Sequence, residues 1–180
     1  MNVRHYLLSV AMFLIVAAGV SGQTPAPAKS SDQEAPLAPA FNLTSLEGEH
    51  FELSALRKKI VVLNFWFTGC EPCVAEFPEL NALVKEFKDK EVVFIAPTLD
   101  DAATLTPFLN QHKFNYHVVP NAADLIVVTY SDGSGNVVFP THIVINEEGR
   151  IDTRVTGAKG IADLRKAIVR LTSEKVEKTK

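Results

Sequence analysis

The chain has 180 residues, 47% hydrophobic, 22% charged and 8% aromatic, and its 18 Lys and Arg against 21 Asp and Glu leave a formal charge of -3. That is the composition of one globular domain, with neither the basic stripe that binds a phosphate backbone nor a cationic membrane-surface face, which argues against nucleic acid as a partner. Two cysteines, Cys70 and Cys73, are too few for a disulfide-dense scaffold or an all-cysteine zinc site.

In chain order, Arg4 and His5 precede an apolar run over residues 6–20, and Val20, Ser21 and Gly22 offer small residues for cleavage, so residues 1–22 read as a signal peptide. The run is shorter than the ~20 apolar residues that span a bilayer, and no cysteine follows it for lipid attachment. The protein is expected to be exported, to the periplasm or the extracytoplasmic face of the membrane, and to be anchored there if the signal is uncleaved. Residues 23–40 carry Pro25, Pro27, Pro36 and Pro39 among Ala, Ser and Gln and read as a flexible linker. The folded domain is expected over residues 41–171. Residues 172–180 alternate charge without an apolar face and read as a frayed tail.

Within the domain, Phe41 to Leu43 and Phe51 to Leu53 flank the turn Glu47-Gly48-Glu49 and predict a hairpin. Residues 60–67 are apolar and β-prone except for Asn64, as in a strand buried on both faces. Ala75, Leu80, Leu83, Val84 and Phe87 then recur at helical spacing. Residues 92–96 form the next strand, Asp100 or Asp101 caps a helix carrying Leu105, Phe108 and Leu109, and residues 116–119 are a short strand. Residues 124–129 fit helix and strand equally. Gly133-Ser134-Gly135 lacks the strand-to-helix setting of a phosphate loop and reads as a turn. A second hairpin, residues 141–145 and 151–155, precedes an amphipathic helix over Ile161, Leu164, Ile168 and Leu171. The order predicts an α/β domain with a mixed central sheet and helices on both faces.

The buried strand runs into Cys70-Glu71-Pro72-Cys73, which puts Cys70 at a helix start and Cys73 one turn inside. Unpaired backbone N–H groups and the helix dipole favour thiolate there, lowering a cysteine pKa from about 8.5 to roughly 3.5–7.5 in such motifs. Pro72 suits a first helical turn, where its missing N–H costs nothing. Glu76 follows Cys73 by one turn and can lie beside the second sulfur. A structural staple is the bland alternative, but so short a loop removes little chain entropy.

With these residues in place, the sequence resembles the thioredoxin superfamily and, within it, the extracytoplasmic TlpA/ResA-like thiol-disulfide oxidoreductases. The resemblance is carried by Val62-Leu63-Asn64-Phe65-Trp66-Phe67-Thr68-Gly69-Cys70-Glu71-Pro72-Cys73 and by Glu76-Phe77-Pro78, with Pro78 matching the proline that kinks the active-site helix. Phe139-Pro140-Thr141 is similar to the family's cis-proline loop, and residues 146–151 to its last β-turn. The resemblance implies a thioredoxin-like fold with an added N-terminal β-hairpin, and a Cys70/Cys73 dithiol-disulfide cycle without a bound cofactor or metal. It implies reduction of selected protein disulfides, apocytochrome c among the family's substrates, by a monomer recharged from a membrane electron donor. The implied substrate-binding residues are Phe139, Pro140 and Thr141; Trp66 and Phe67 read as core rather than substrate-contacting, with the active-site rim as the alternative place for Trp66.

Gly69 stands where many relatives carry tryptophan and should leave the first thiol more open; Asn64 replaces the buried carboxylate of thioredoxin itself. His142 is expected to pack beneath the site, and His50, His112 and His117 on the surface. Two other readings remain: a thioredoxin-fold copper chaperone using two thiolates and a histidine, and a thioredoxin-like peroxidase. The first usually spaces its cysteines by three residues, and the second lacks a threonine-x-x-cysteine arrangement here. Val74 after Cys73 excludes c-type haem attachment.

Overall fold

The structure is a computed structural model that describes residues 34–131, 136–158 and 160–178. The expected signal peptide, most of the linker and the turn at residues 133–135 lie outside the described residues. A two-stranded antiparallel hairpin of β1 (Asn42–Thr44) and β2 (His50–Glu52) pairs Leu43 with Phe51. Gly48 closes its turn at φ +84°, a conformation that a side chain disfavours.

The central sheet has five strands: β3 (Ile60–Phe65), β4 (Val92–Pro97), β5 (His117–Val119), β6 (Thr141–Ile145) and β7 (Ile151–Thr156). Their order is β5-β4-β3-β6-β7, parallel among the first three and antiparallel thereafter. All six residues of β3 are buried, as its unbroken apolar run requires of a central strand. Its faces alternate. Ile60, Val62 and Trp66 enter one core cluster, which also receives side chains of helices α2 (Phe77–Glu86), α3 (Ala102–Gln111) and α4 (Ile161–Lys178). Val61, Leu63 and Phe65 enter the other, covered by Phe41, Phe51, Leu53 and a single π-helical segment at Asp124–Thr129. That segment, ambiguous in the sequence, is helical: the Tyr130 N–H reaches back five residues to the Leu125 carbonyl, and Ile126 is fully buried.

The chain order therefore matches the expected mixed α/β architecture, but both ends of the domain extend beyond the sequence-based limits. Residues 34–38 are docked: Ala38 N–H donates to the Gly149 carbonyl and Ile151 N–H to that of Pro36, both at 2.9 Å. Arg150 adds hydrogen bonds to Ala35 O at 2.7 Å and Glu34 at 2.7 Å. Backbone hydrogen bonds and the Arg150 side chain hold this stretch, with Ala38 packed against the second core cluster. At the other end α4 continues to Lys178, because Arg170–Glu174 and Lys178–Glu147 pairs supply the side-chain contacts that an apolar stripe would otherwise provide.

Candidate active site

The strand β3 delivers the chain to the site. Trp66 bridges to Thr98 beside β4, and the Cys70 N–H closes on the Phe67 carbonyl at 3.0 Å. Helix α1 (Glu71–Ala75) begins immediately after Cys70, with Pro72 in its first turn. Cys70 and Cys73 are joined by a disulfide, their Cα atoms 5.3 Å apart. The Cys70 carbonyl accepts the Val74 N–H at 3.1 Å, so the motif is the first turn of a helix, as its spacing predicts. Pro78 then interrupts that helix: it has no N–H for the preceding turn, and α2 restarts at Phe77 with Glu76 as the shared residue.

Both cysteines are buried, Cys70 at 5% exposure and Cys73 at 1%. The order matches an outer and an inner thiol, but Cys70 is less open than Gly69 suggests. The Phe67 ring lies against Gly69, where an added Cβ would stand 3.3 Å from it, and Phe67 meets Phe139 edge to face at 5.2 Å. Both rings pack against the cluster that contains the two cysteines. The Phe139–Pro140 peptide is cis, and Pro140 is buried.

Two candidates for substrate contact are enclosed. Trp66 is fully buried, meeting Phe77 and Phe114 edge to face at 5.0 and 5.7 Å, so its place is the core and not the rim. Aromatic packing on three sides, with Phe108 at 6.0 Å, accounts for the inward turn. Thr141 is 1% exposed, and its hydroxyl donates to the Val138 carbonyl at 2.6 Å, which shapes the proline loop from within.

Glu76, at 7% exposure, is tied into the domain. Its Oε2 accepts from His142 Nε2 at 3.1 Å, and the other ring nitrogen, Nδ1, accepts from Asn64 Nδ2 at 2.9 Å. Asn64 and His142 are direct cross-strand partners of β3 and β6 and are 1% and 0% exposed. A neutral ring with its proton on Nε2 satisfies both bonds. Tyr116 is buried nearby, and desolvation together with the Glu76 charge pushes its phenol well above the ordinary range, so it stays protonated.

Asp100 was not singled out as part of the site by its sequence. Its Oδ2 accepts the Thr68 N–H at 2.6 Å and the Thr98 hydroxyl at 3.1 Å, clasping the active-site loop to the end of β4. Asp101 is the helix cap, accepting the Thr104 N–H at 2.8 Å. The adjacent aspartates directly after a strand were the available signal: one caps, the other is free to reach across.

A disulfide in the first turn of a helix, set at the end of a central strand in this mixed sheet, defines a thioredoxin-like thiol-disulfide oxidoreductase. Residues 35–154 match the AhpC/TSA family, and the chain belongs to that family, among its ResA-like thiol-disulfide oxidoreductases. The thiol-disulfide oxidoreductase ResA of Bacillus thuringiensis (strain Al Hakam) is 32% identical over 159 residues, covering 86% of this chain and 90% of that protein. ResA of Bacillus subtilis is 35% identical over 130 residues, 72% of this chain and 70% of its own length. A secreted Mycobacterium tuberculosis disulfide oxidoreductase homologous to E. coli DsbE superposes with a TM-score of 0.59 at 25% identity, over 73% of this chain and 96% of the other. A thioredoxin-family thiol:disulfide interchange protein from Chlorobium tepidum shares the fold, with a TM-score of 0.68 at 23% identity, over 79% and 99% of the two chains.

Proposed function

We propose that the protein reduces selected protein disulfides outside the cytoplasm, with Cys70 as the attacking thiol and Cys73 as the resolving one. The observation that carries this reading is the Cys70–Cys73 disulfide at the start of α1, with the buried Glu76 on the next turn. In the reduced protein, the Cys70 thiolate attacks a substrate disulfide, one substrate sulfur leaves as thiolate and takes a proton, and a mixed disulfide remains. Cys73 then loses its proton to the Glu76 carboxylate and attacks Cys70; the mixed bond breaks and the second substrate sulfur departs as thiol. Two electrons pass to the substrate, and the Cys70–Cys73 disulfide of this structure is the product state.

An extended substrate segment would lie along Phe139, whose backbone can pair with it as an added strand does, while Pro140 presents no N–H to compete for the sulfur. Pro72 and Pro78 shape the helix that carries the thiols. The signal-like residues 1–22 support export, to the periplasm or anchored at the extracytoplasmic membrane face. There the disulfide would be recharged by a membrane electron-transfer protein, and the protein would act as a monomer. Disulfides of apocytochrome c are one substrate class of the kind that ResA-like proteins suggest.

Acid-quenched alkylation of intact cells reads the thiol state in use. A reductase is held mainly as the dithiol, and Cys73→Ala then retains substrates in mixed disulfides that a thiol reductant releases. A protein found fully oxidised at steady state, whose disulfide passes to reduced substrates, would reverse the assigned direction.

A further inference from the structure

Two aromatic rings from different loops meet beside the disulfide. Phe67, in the active-site loop, and Phe139, before the cis proline, touch edge to face at 5.2 Å, and both pack against the cluster that holds Cys70 and Cys73. Neither ring is wholly in the core: Phe67, which its sequence places there, is half-buried, as is Phe139. The loop turns back beneath the Phe67 ring, with the Cys70 N–H donating to the Phe67 carbonyl at 3.0 Å. Gly69 makes room for that ring. Its backbone is outside the left-handed region, so the conformation would accept a side chain, but a Cβ there would stand 3.3 and 3.5 Å from two atoms of the ring and within 4 Å of no others among the described residues outside its chain neighbours. A side chain at position 69 and the Phe67 ring thus compete for one place. Cys70 is 5% exposed although the residue before it is open to solvent.

We propose that Phe67 is a specificity-determining residue for the exchange reaction: its ring, resting on Gly69 and Phe139, gates Cys70 and favours an extended segment whose cysteine is flanked by apolar side chains. This rests on the reading of Cys70 as the sulfur that exchanges with substrate. A segment paired along the Phe139 backbone and bonded to Cys70 has to part the two rings, because their contact joins the active-site loop to the proline loop. Apolar side chains beside the incoming cysteine replace the lost ring contact, whereas polar ones are desolvated against the rings without a partner. The contact includes neither sulfur, so opening it costs the same in the disulfide and dithiol forms. The gate therefore slows exchange in both directions and leaves the redox equilibrium where it was. One edge-to-face pair corresponds to a closed-to-open ratio of about 2–13, so removing it speeds access roughly 3- to 14-fold.

Glutathione tests the gate from both sides. Mixed with the oxidised protein, its thiolate attacks Cys70 Sγ, and Cys73 departs as thiolate and takes a proton. A second glutathione thiolate then attacks the glutathione sulfur of the mixed disulfide, releasing glutathione disulfide and the Cys70 thiolate, so that two electrons reach the protein. Glutathione disulfide and the reduced protein run the same steps in reverse. Acid quenching, alkylation and mass analysis read both rates.

In Phe67→Ala both rates should rise roughly 3- to 14-fold with their ratio within about twofold of wild type. Phe67→Leu, which keeps apolar volume for folding but has no edge-to-face contact, should move both rates the same way by about twofold or more, and Phe67→Tyr should match wild type. Offered the acetylated and amidated tripeptides Leu-Cys-Leu and Asn-Cys-Asn as thiols, the wild-type protein should favour the leucine peptide by about threefold or more, and Phe67→Ala should lose that preference. Unaltered rates in both Phe67→Ala and Phe67→Leu would overturn the proposal, as would a leucine preference that survives in Phe67→Ala. Acceleration in one direction only would overturn it too, since that is a shifted redox equilibrium and not a gate. Early-quenched glutathione found on Cys73 instead of Cys70 would refute the attacking role of Cys70, and the gate with it.

Discussion

Replacing Asp100 by alanine should weaken the domain and slow attack by Cys70 through one oxygen atom. Asp100 Oδ2 takes the backbone N–H of Thr68, two residues before Cys70, and the hydroxyl of Thr98, which is fully buried. Hydrogen bonds to a charged acceptor contribute about 1.5–3 kcal/mol each. Thr68 and Asp100 are half-buried, so water replaces part of the first bond; the Thr98 hydroxyl has no such access but keeps the Asp100 N–H at 3.3 Å. The expected net loss is about 2–3 kcal/mol, a fall of about 4–12 °C in the unfolding midpoint for a domain of this size. Urea unfolding of the oxidised protein should show a lower midpoint at unchanged slope, and Asp100→Asn, which keeps an acceptor oxygen but not the charge, should lose about half as much. The reduced alanine variant should react more slowly with an alkylating agent at Cys70, since the loop that presents the thiol has lost its clasp. A loss below about 0.5 kcal/mol for alanine, the range of an ordinary surface substitution, would refute this account.

Alkylation of the reduced protein at neutral pH should mark Cys70 before Cys73, because only the outer sulfur combines a helix start with some solvent; peptide mapping reads the order, and faster labelling of Cys73 would exchange the two roles. Phe77→Ala should cost about 3–5 kcal/mol by chemical denaturation and alter Trp66 fluorescence, as the ring is 3% exposed and stacks on Phe114 at 3.9 Å; a cost below about 1 kcal/mol would show that the aromatic cluster collapses without penalty. The Thr104 N–H holds the Asp101 carboxyl below its usual range, so the cap stabilises α3 above the ordinary carboxylate range and is lost as pH falls through the depressed value. Asp101→Asn should retain the cap and flatten the acid limb of the midpoint-versus-pH curve, and identical acid limbs would count against it.

Much of the fold was legible because its signals are local. The apolar run of β3, the helical spacing after Cys73 and the paired hairpins are properties of neighbouring residues, and each produced the element it predicted. The first-turn placement of Cys70 and the interruption by Pro78 follow from backbone chemistry alone. What the sequence left open depends on distant partners. Trp66 was read as core with the rim as the alternative, and it is the distant rings of Phe77, Phe108 and Phe114 that decide for the core. His142 was expected beneath the site, but its bond to Glu76 spans 66 positions and its bond to Asn64 spans 78, which no periodicity encodes. The choice between Asp100 and Asp101 turned on a loop 32 residues away. The ends of the domain were set by hydrogen bonds and ion pairs from polar residues, for which hydrophobic patterning has no signal.

The docked residues 34–38 fix where the chain arrives at the domain. They pair with Gly149, Arg150 and Ile151, at the tight turn that joins β6 to β7. Strand β6 runs from Thr141, whose cross-strand partner is Phe65 next to the active-site loop, to Ile145 at that turn. Five residues of extended strand, about 17 Å, therefore separate the point of arrival from the disulfide pole. A load carried by residues 34–38 is therefore taken up at the end of the sheet opposite the disulfide, through the Gly149, Arg150 and Ile151 contacts.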